Sequence, residues 1–307
     1  VDNNDGSQLS ASCLDYASHC ADQAGATLAE KVISLDWPER EASRQLKFRH
    51  QQWPHDLLRA ADALGTTSLA GVNVPIGGVI HDYGRVIEPL RLCKFLAGNT
   101  PTIFDAHVTQ VTRDGASLVL ETDNGGRFAF DVVVLATGAS LPEILQKLSV
   151  TGIRLDIIRG QVSKVPEHPE LKNLQVGLSY GGYLTPSHNG FHELGATFDR
   201  YCKNDCDKAA FVRNSNHLPP EMRELFKHLD TCQGRKSQRA STPDHQPLVG
   251  RLDENVYVLG AVGARGFTLA PLLGEYLAAQ ISIMPNCLSD RMQAMLDPFR
   301  FRLRGGS

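Results

Sequence analysis

Gly260, Gly263 and Gly266 flank Ala264 and Arg265 in "LGAVGARGFTLAPLLGEYLAAQI", residues 259–281. Glycines between an apolar strand-like run and an apolar helix let backbone amides approach a negatively charged or carbonyl-rich group. The spacing is GxxGxxG rather than GxGxxG, and no acid follows about 20 residues later to take a ribose hydroxyl. A dinucleotide pyrophosphate is therefore not the expected occupant. Arg265 carries a rigid five-donor fork that suits a carboxylate in a bidentate pair. The plain alternative is a surface arginine that solvates the loop. A helix expected to begin near Pro271 would aim its free N–H groups at the same spot.

A second junction of this kind is "VVVLATGA", where Ala136, Thr137 and Gly138 end an apolar run. Further polar groups stand at expected strand ends: Arg159 before Gly160 and Gln161, Tyr183 in "GGYLTP", and Arg239 in "RASTPDHQPLVG". His81, His188, His192 and His245 read as solvated loop histidines, and no role is assigned to them.

Composition narrows the class. The 307 residues are 42% apolar and 21% charged, with a formal net charge of −3. That is an ordinary globular composition with no global basic field, so nucleic acid could bind only through a local patch or another polypeptide segment. No apolar run reaches the ~20 residues of a membrane span, and the polar start is not signal-like, so a cytoplasmic protein is expected. The seven cysteines are scattered; only Cys202 and Cys206 lie close together, and isolated reduced thiols are expected rather than a zinc site. The chain starts "VDNNDGSQLS" without methionine, which reads as a cut from something longer.

Several elements must hold these residues. Residues 11–35 predict an alanine-rich helix with Leu14, Ala17, Ala21, Leu28 and Val32 on its apolar face. Residues 37–65 predict one or two amphipathic helices, started by Pro38, divided by Pro54 and ended by Gly65. A helix from Pro89 to a cap at Gly98 should bury Leu90, Cys93 and Leu96. Three strands, "AHVTQVTR", "SLVLET" and "RFAFD", are joined by Asp-Gly and Asn-Gly-Gly turns. "DVVVLATGAS" is unbroken by polar residues from Val132 to Leu135, which predicts a parallel strand buried on both faces. From Gly152 to Arg239 short alternating strands predict an antiparallel sheet, with a helix in "PPEMRELFKHLD".

Taken in order, "VVVLATGA", "RGQVS", "GYLTP" with "GATFD", "RASTPDHQPLVG" and "GARGFTLAPLLGEYLA" resemble the FAD-dependent amine oxidoreductases, the family of D-amino-acid oxidase and glycine oxidase. Within it the likeness runs toward oxidoreductase domains of bifunctional tRNA wobble-uridine modification enzymes. The resemblance implies a mixed α/β fold, a Rossmann-like FAD-binding domain interleaved with an antiparallel-sheet substrate domain. Residues 1–75 would be a helical part of the substrate domain, 76–150 and 241–284 the FAD-binding parts, 151–240 the antiparallel sheet, and 285–307 a tail. It further implies FAD contacts at Val108, Ala136, Thr137, Gly138, Gly160, Gln161, Gly263, Ala264, Gly266, Phe267 and Thr268. Arg265 and Tyr183 would position a substrate carboxylate, with Arg239 supporting flavin or substrate.

The implied reaction is oxidation of a secondary amine and hydrolysis of the resulting imine, which removes a carboxymethyl group from carboxymethylaminomethyl-uridine in tRNA. A methyltransferase domain of the same polypeptide would be the partner. The family's opening strand–GxGxxG–helix unit is missing here, so weak FAD affinity and no activity are expected of this chain alone. Two other readings stay open: a small-molecule oxidase of the glycine or D-amino-acid type, and a non-catalytic binding module.

Overall fold

The computed structural model describes residues 4–39, 42–43, 53–199, 208–227 and 233–302. Cys202, Cys206 and Cys232 lie outside them, as does part of the helical segment expected over residues 37–65. The fold is mixed α/β, as the sequence motifs imply. Two compact units share the chain, one made of residues 1–96 and 159–237 and the other of 97–158 and 238–307.

Helix α1 (Asp5–Gln23) begins where the Asn4 side chain accepts the Ser7 N–H at 3.0 Å, and Gly25 follows it in the left-handed region at φ 58°. Strand β1 (Thr27–Leu35) comes next, so the helix expected over residues 11–35 stops halfway. The reason is period: Ile33 and Leu35 are fully buried while Val32 and Ser34 take the other face, an alternation that only a strand provides.

Strand β2 (Leu58–Ala61) and helix α2 (Ala63–Ala70) follow, so residues 1–75 are not wholly helical. Gly65 sits in the first turn of α2, its N–H bonded to Asp62 Oδ1 at 2.8 Å, and Gly71 at φ 74° closes the helix instead. Strand β3 (Gly78–Ile87), expected in the FAD-binding part, pairs antiparallel with both β1 and β2 in the first unit. Helix α3 (Pro89–Ala97) starts at its proline, but it buries Leu92 and leaves Leu90, Cys93 and Leu96 exposed.

In the second unit β4 (Val108–Asp114), β5 (Ser117–Thr122) and β6 (Arg127–Phe130) form the expected antiparallel ribbon. Strand β7 (Val133–Leu135) leads to a 3₁₀ turn and helix α4 (Leu141–Lys147). Val133 and Leu135 are buried but Val132 and Val134 are 37% and 42% exposed, so burial on both faces is corrected to one. Among the described residues, β7 is an edge strand of its three-stranded sheet.

The chain then returns through β8 (Asp156–Pro166), β9 (Gly177–Ser179), β10 (Tyr183–Leu184) and β11 (Phe191–Gly195). Helices α5 (Lys208–Asn216) and α6 (Pro220–Glu224) follow, and β12 (Gln233–Ser241) leads back. An eight-stranded sheet results, in the order β12-β8-β11-β10-β9-β1-β3-β2, parallel at β1–β9 and antiparallel at β8–β11, β11–β10, β10–β9, β1–β3 and β3–β2. One face forms the core, where Ile33, Ile80, Val165, Leu178 and Leu194 pack with Phe211, Met222 and Phe226. Each such side chain contributes about 1.5–3 kcal/mol relative to exposure.

Strands β13 (Leu248–Asp253) and β14 (Val256–Gly260), helix α7 (Gly266–Ile281) and helix α8 (Asp290–Leu296) complete the second unit. Helix α7 starts five residues before Pro271, which is a buried interior residue whose ring removes the bond to the Phe267 carbonyl. Within the tail expected over residues 285–307, the described residues pack: Leu288 and Leu296 are buried, and Arg300 is pinned to Asp244. Among the described residues no helix is long and apolar enough to cross a membrane.

Candidate functional site

In the second unit β14 lies parallel to β7, with Val258 opposite Leu135. Ala136–Gly138 and Ala261–Gly266 therefore leave the carboxyl ends of two neighbouring parallel strands, where α/β sheets hold ligands. Gly138 has φ 56° and no atom within 4 Å of the position its Cβ would take. Gly263 has φ 59° and meets only Ser241 Oγ there, at 3.9 Å. Ala261, 3% exposed, is also left-handed at φ 55°, a conformation an alanine adopts only against its preference.

Ala136, Thr137, Gly138, Ala264, Arg265 and Phe267 are exposed, and Thr268 is half-buried. The start of α7 has no side-chain cap among the described residues, which leaves first-turn N–H groups open to a ligand. Val108, half-buried, opens β4 opposite Thr122.

Arg265 stands where the glycine loop becomes helix, and its Nη2 donates to the His245 carbonyl at 2.7 Å. His245 belongs to a braced loop. The Thr242 hydroxyl lies 2.8 Å from Asp244 Oδ1 and 2.6 Å from the Gln246 carbonyl, and the Gln246 N–H donates to Asp244. Arg300 grips Asp244 with two hydrogen bonds of 2.8 Å and also donates to the carbonyls of Gln246, Pro247 and Asp297. Partial burial alone would push the Asp244 carboxyl up, but Arg300, the Gln246 N–H and the Thr242 hydroxyl together bring it down to about 2. Asp244 and Arg300 were not singled out from sequence. The signal available was the Thr242-Pro243-Asp244 turn; its arginine partner is 56 residues away. Arg239 is half-buried where β12 passes into this unit.

Tyr183 belongs to the first unit, on the sheet face opposite the core. Gly195 makes room for it: a Cβ there would sit 2.6 Å from the tyrosine ring. Tyr183 lines a cavity of about 540 Å³ together with Val32, Val162, Leu178, Glu193 and Arg235. Glu193 and Arg235 were also missed, because only the strand register brings β11 and β12 to one cavity.

Gly160 and Gln161 are buried in β8 of this unit. The Gln161 N–H donates to Thr197 Oγ1 at 2.9 Å, and its carbonyl accepts from the Thr197 N–H and from Asn214 Nδ2. These bonds knit β8 into the sheet. Two histidines are also corrected: His81 and His192 lie in strands, not loops. Burial lowers the His81 imidazole to about 4, with Ser34 Oγ 2.9 Å from its Nε2, and lowers that of His192 as well. Among the described residues no cluster of His, Cys, Asp and Glu could hold a metal, and four cysteines are free thiols.

Residues 7–280 match the family described as FAD dependent oxidoreductase. The tRNA 5-methylaminomethyl-2-thiouridine biosynthesis bifunctional protein MnmC of Pseudoalteromonas atlantica is 28% identical over 99% of this chain and 52% of its own length. The protein of that name from Chromobacterium violaceum is 29% identical over 89% of this chain and 46% of its own. The chain thus spans about half the length of the curated relatives it matches. Among solved structures, glycine oxidase from Geobacillus kaustophilus superimposes with a TM-score of 0.72 at 18% identity, covering 95% of this chain and 80% of that one. L-proline dehydrogenase from P. horikoshii gives 0.78 at 16% identity, over 99% and 85%. The family match, running through both parallel strands and into α7, leads to one conclusion: the chain belongs to the FAD dependent oxidoreductase family.

Proposed function

We propose that the chain is the oxidoreductase part of an enzyme that removes the carboxymethyl group from carboxymethylaminomethyl-(2-thio)uridine at the tRNA wobble position. The likeness to MnmC over 99% of the chain carries this reading. A methyltransferase domain in the same polypeptide and tRNA as substrate are part of the proposal, as is a cytoplasmic setting.

The residues present fit FAD. Gly138 and Gly263 have left-handed backbones with open space beside them, and the start of α7 offers uncapped N–H groups. Ala136–Gly138 and Gly263–Thr268 would hold the ring system, and Val108 would contribute a backbone contact. When bound, FAD supplies the two-electron acceptor for oxidation of a C–H bond beside an amine nitrogen.

This chain's side chains orient the substrate. Arg265, whose Nη2 donates to the His245 carbonyl, carries the guanidinium fork that would grip a carboxylate and so fix the direction of the adjacent C–H. Tyr183 and Arg239 are assigned supporting roles in that positioning. No strong side-chain base is required if the amine binds in its neutral form.

The test uses the full-length protein loaded with FAD and tRNA bearing the carboxymethylaminomethyl group, with glyoxylate release measured. Arg265→Ala should lower kcat/KM on the order of 100-fold, with only partial recovery in Arg265→Lys. An unchanged kcat/KM would remove Arg265 from the site. The net charge of −3 favours a second reading, a small-molecule amine oxidase. Oxidation of free glycine in preference to the tRNA would establish that reading instead.

A further inference from the structure

The cavity in the first unit is far larger than a two-carbon carboxylate needs and lies within the ~300–1,000 Å³ range of small-molecule sites. Its apolar wall is sheet: Val32 comes from β1, Val86 from the neighbouring β3 and Val162 from β8. Gly177 keeps that wall low, since a Cβ there would press to 3.0 Å from Val86 Cγ2 and 3.2 Å from Val32 Cγ2. A low apolar wall with an aromatic residue at its side accepts a planar ring.

Four charged residues reach the cavity, and two of them are already engaged. Arg85 is paired with Asp22 at 3.1 Å and donates to the carbonyls of Asp82 and Gly84. Glu88 is paired with Arg91 at 3.3 Å. The other two, Glu193 and Arg235, carry opposite charges and come from strands β11 and β12. The backbone of Glu193 is held from both sides by Thr185, whose Oγ1 accepts its N–H at 2.9 Å and whose N–H donates to its carbonyl at 3.1 Å. A carboxylate acceptor and a planar donor fork lining one cavity complement a ring edge that alternates N–H and C=O, the imide edge of a pyrimidine-2,4-dione or its thio analogue.

Resting on the tRNA reading above, we propose that Glu193 and Arg235 form a base-reading subsite. The substrate's pyrimidine ring lies on the Val32–Val162 wall, the Glu193 carboxylate accepts the ring N3–H, and Arg235 donates to a flanking oxygen or sulfur. Burial raises the Glu193 carboxyl, only partly offset by Lys164 and Arg235, so this carboxylate gains from a further hydrogen-bond donor.

The experiment measures equilibrium binding to the full-length protein of two probes that share the reactive group. One is the nucleoside 5-carboxymethylaminomethyluridine; the other is N-ethylglycine, which lacks the ring. Wild type should bind the nucleoside more tightly. Glu193→Leu and Arg235→Met should each weaken nucleoside binding on the order of 10-fold and leave N-ethylglycine unchanged. Arg235 is exposed on its strand, so its variant keeps the test valid even if Glu193→Leu fails to fold. Equal effects on both probes, or none on the nucleoside, would overturn the subsite while leaving the tRNA reading intact. A wild type that binds N-ethylglycine but not the nucleoside would overturn both.

Discussion

Arg300 makes four hydrogen bonds to the Asp244–Pro247 loop and one to the Asp297 carbonyl, and through that loop it sets the carbonyl that steadies Arg265. Its side chain is 9% exposed, so truncating it leaves the Asp244 carboxylate partly buried without its main donor. Arg300→Ala should cost about 3 kcal/mol in urea unfolding at pH 7, and Arg300→Lys should recover little, because the fork geometry is lost. The sign of the pH dependence follows from Asp244. Its folded pKa, about 2, lies below the usual ~3.9 of a free carboxyl, so its stabilising effect is full above pH 4 and fades as pH falls toward 2. The difference between wild type and variant should shrink across that window. A difference that stays constant would place the stabilisation elsewhere.

At the scale of elements, two neighbouring parallel strands that run into glycine turns would set the proposed cofactor site, and Gly138 tests that arrangement. An alanine at φ 56° costs about 1 kcal/mol in backbone strain, and since no protein atom lies within 4 Å of the new Cβ, nothing more should be lost. A cofactor lying against that backbone would meet the methyl group. Gly138→Ala should therefore weaken FAD binding at least ~10-fold in the full-length protein while lowering unfolding stability only by that strain. Unchanged FAD affinity in a titration would contradict the placement.

Both glycine junctions were legible in the sequence, because an apolar run that stops at small residues is a local signal. So was the β4–β6 ribbon, whose turns are local chemistry. Less legible were features set by partners distant in sequence. The alanine-rich stretch ending at Leu35 looked helical until Ile33 and Leu35 met the core of the large sheet. The α3 helix announced itself through Pro89, yet its exposed Leu90 and Leu96 could not be told from buried ones. Glu193 and Arg235 are 42 residues apart, and only sheet order joins them at one cavity.

At the scale of the whole molecule, the chain threads twice through each of its two units, with α3, β8 and β12 carrying it across the three boundaries. The order of motifs along the chain made the family legible, since each motif belongs to a different element and their succession is hard to reach by chance. The division of the units was less so, because it depends on β3 joining the large sheet and on Arg300 folding the last residues back onto Asp244. We propose that the full-length protein to which this chain belongs acts on a modified uridine of tRNA. The most direct test is mass-spectrometric nucleoside analysis of bulk tRNA from cells deleted for the gene. The account predicts accumulation of carboxymethylaminomethyl-uridine, reversed by the wild-type gene and not by one encoding Arg265→Ala. An unchanged level of that nucleoside after deletion would contradict it.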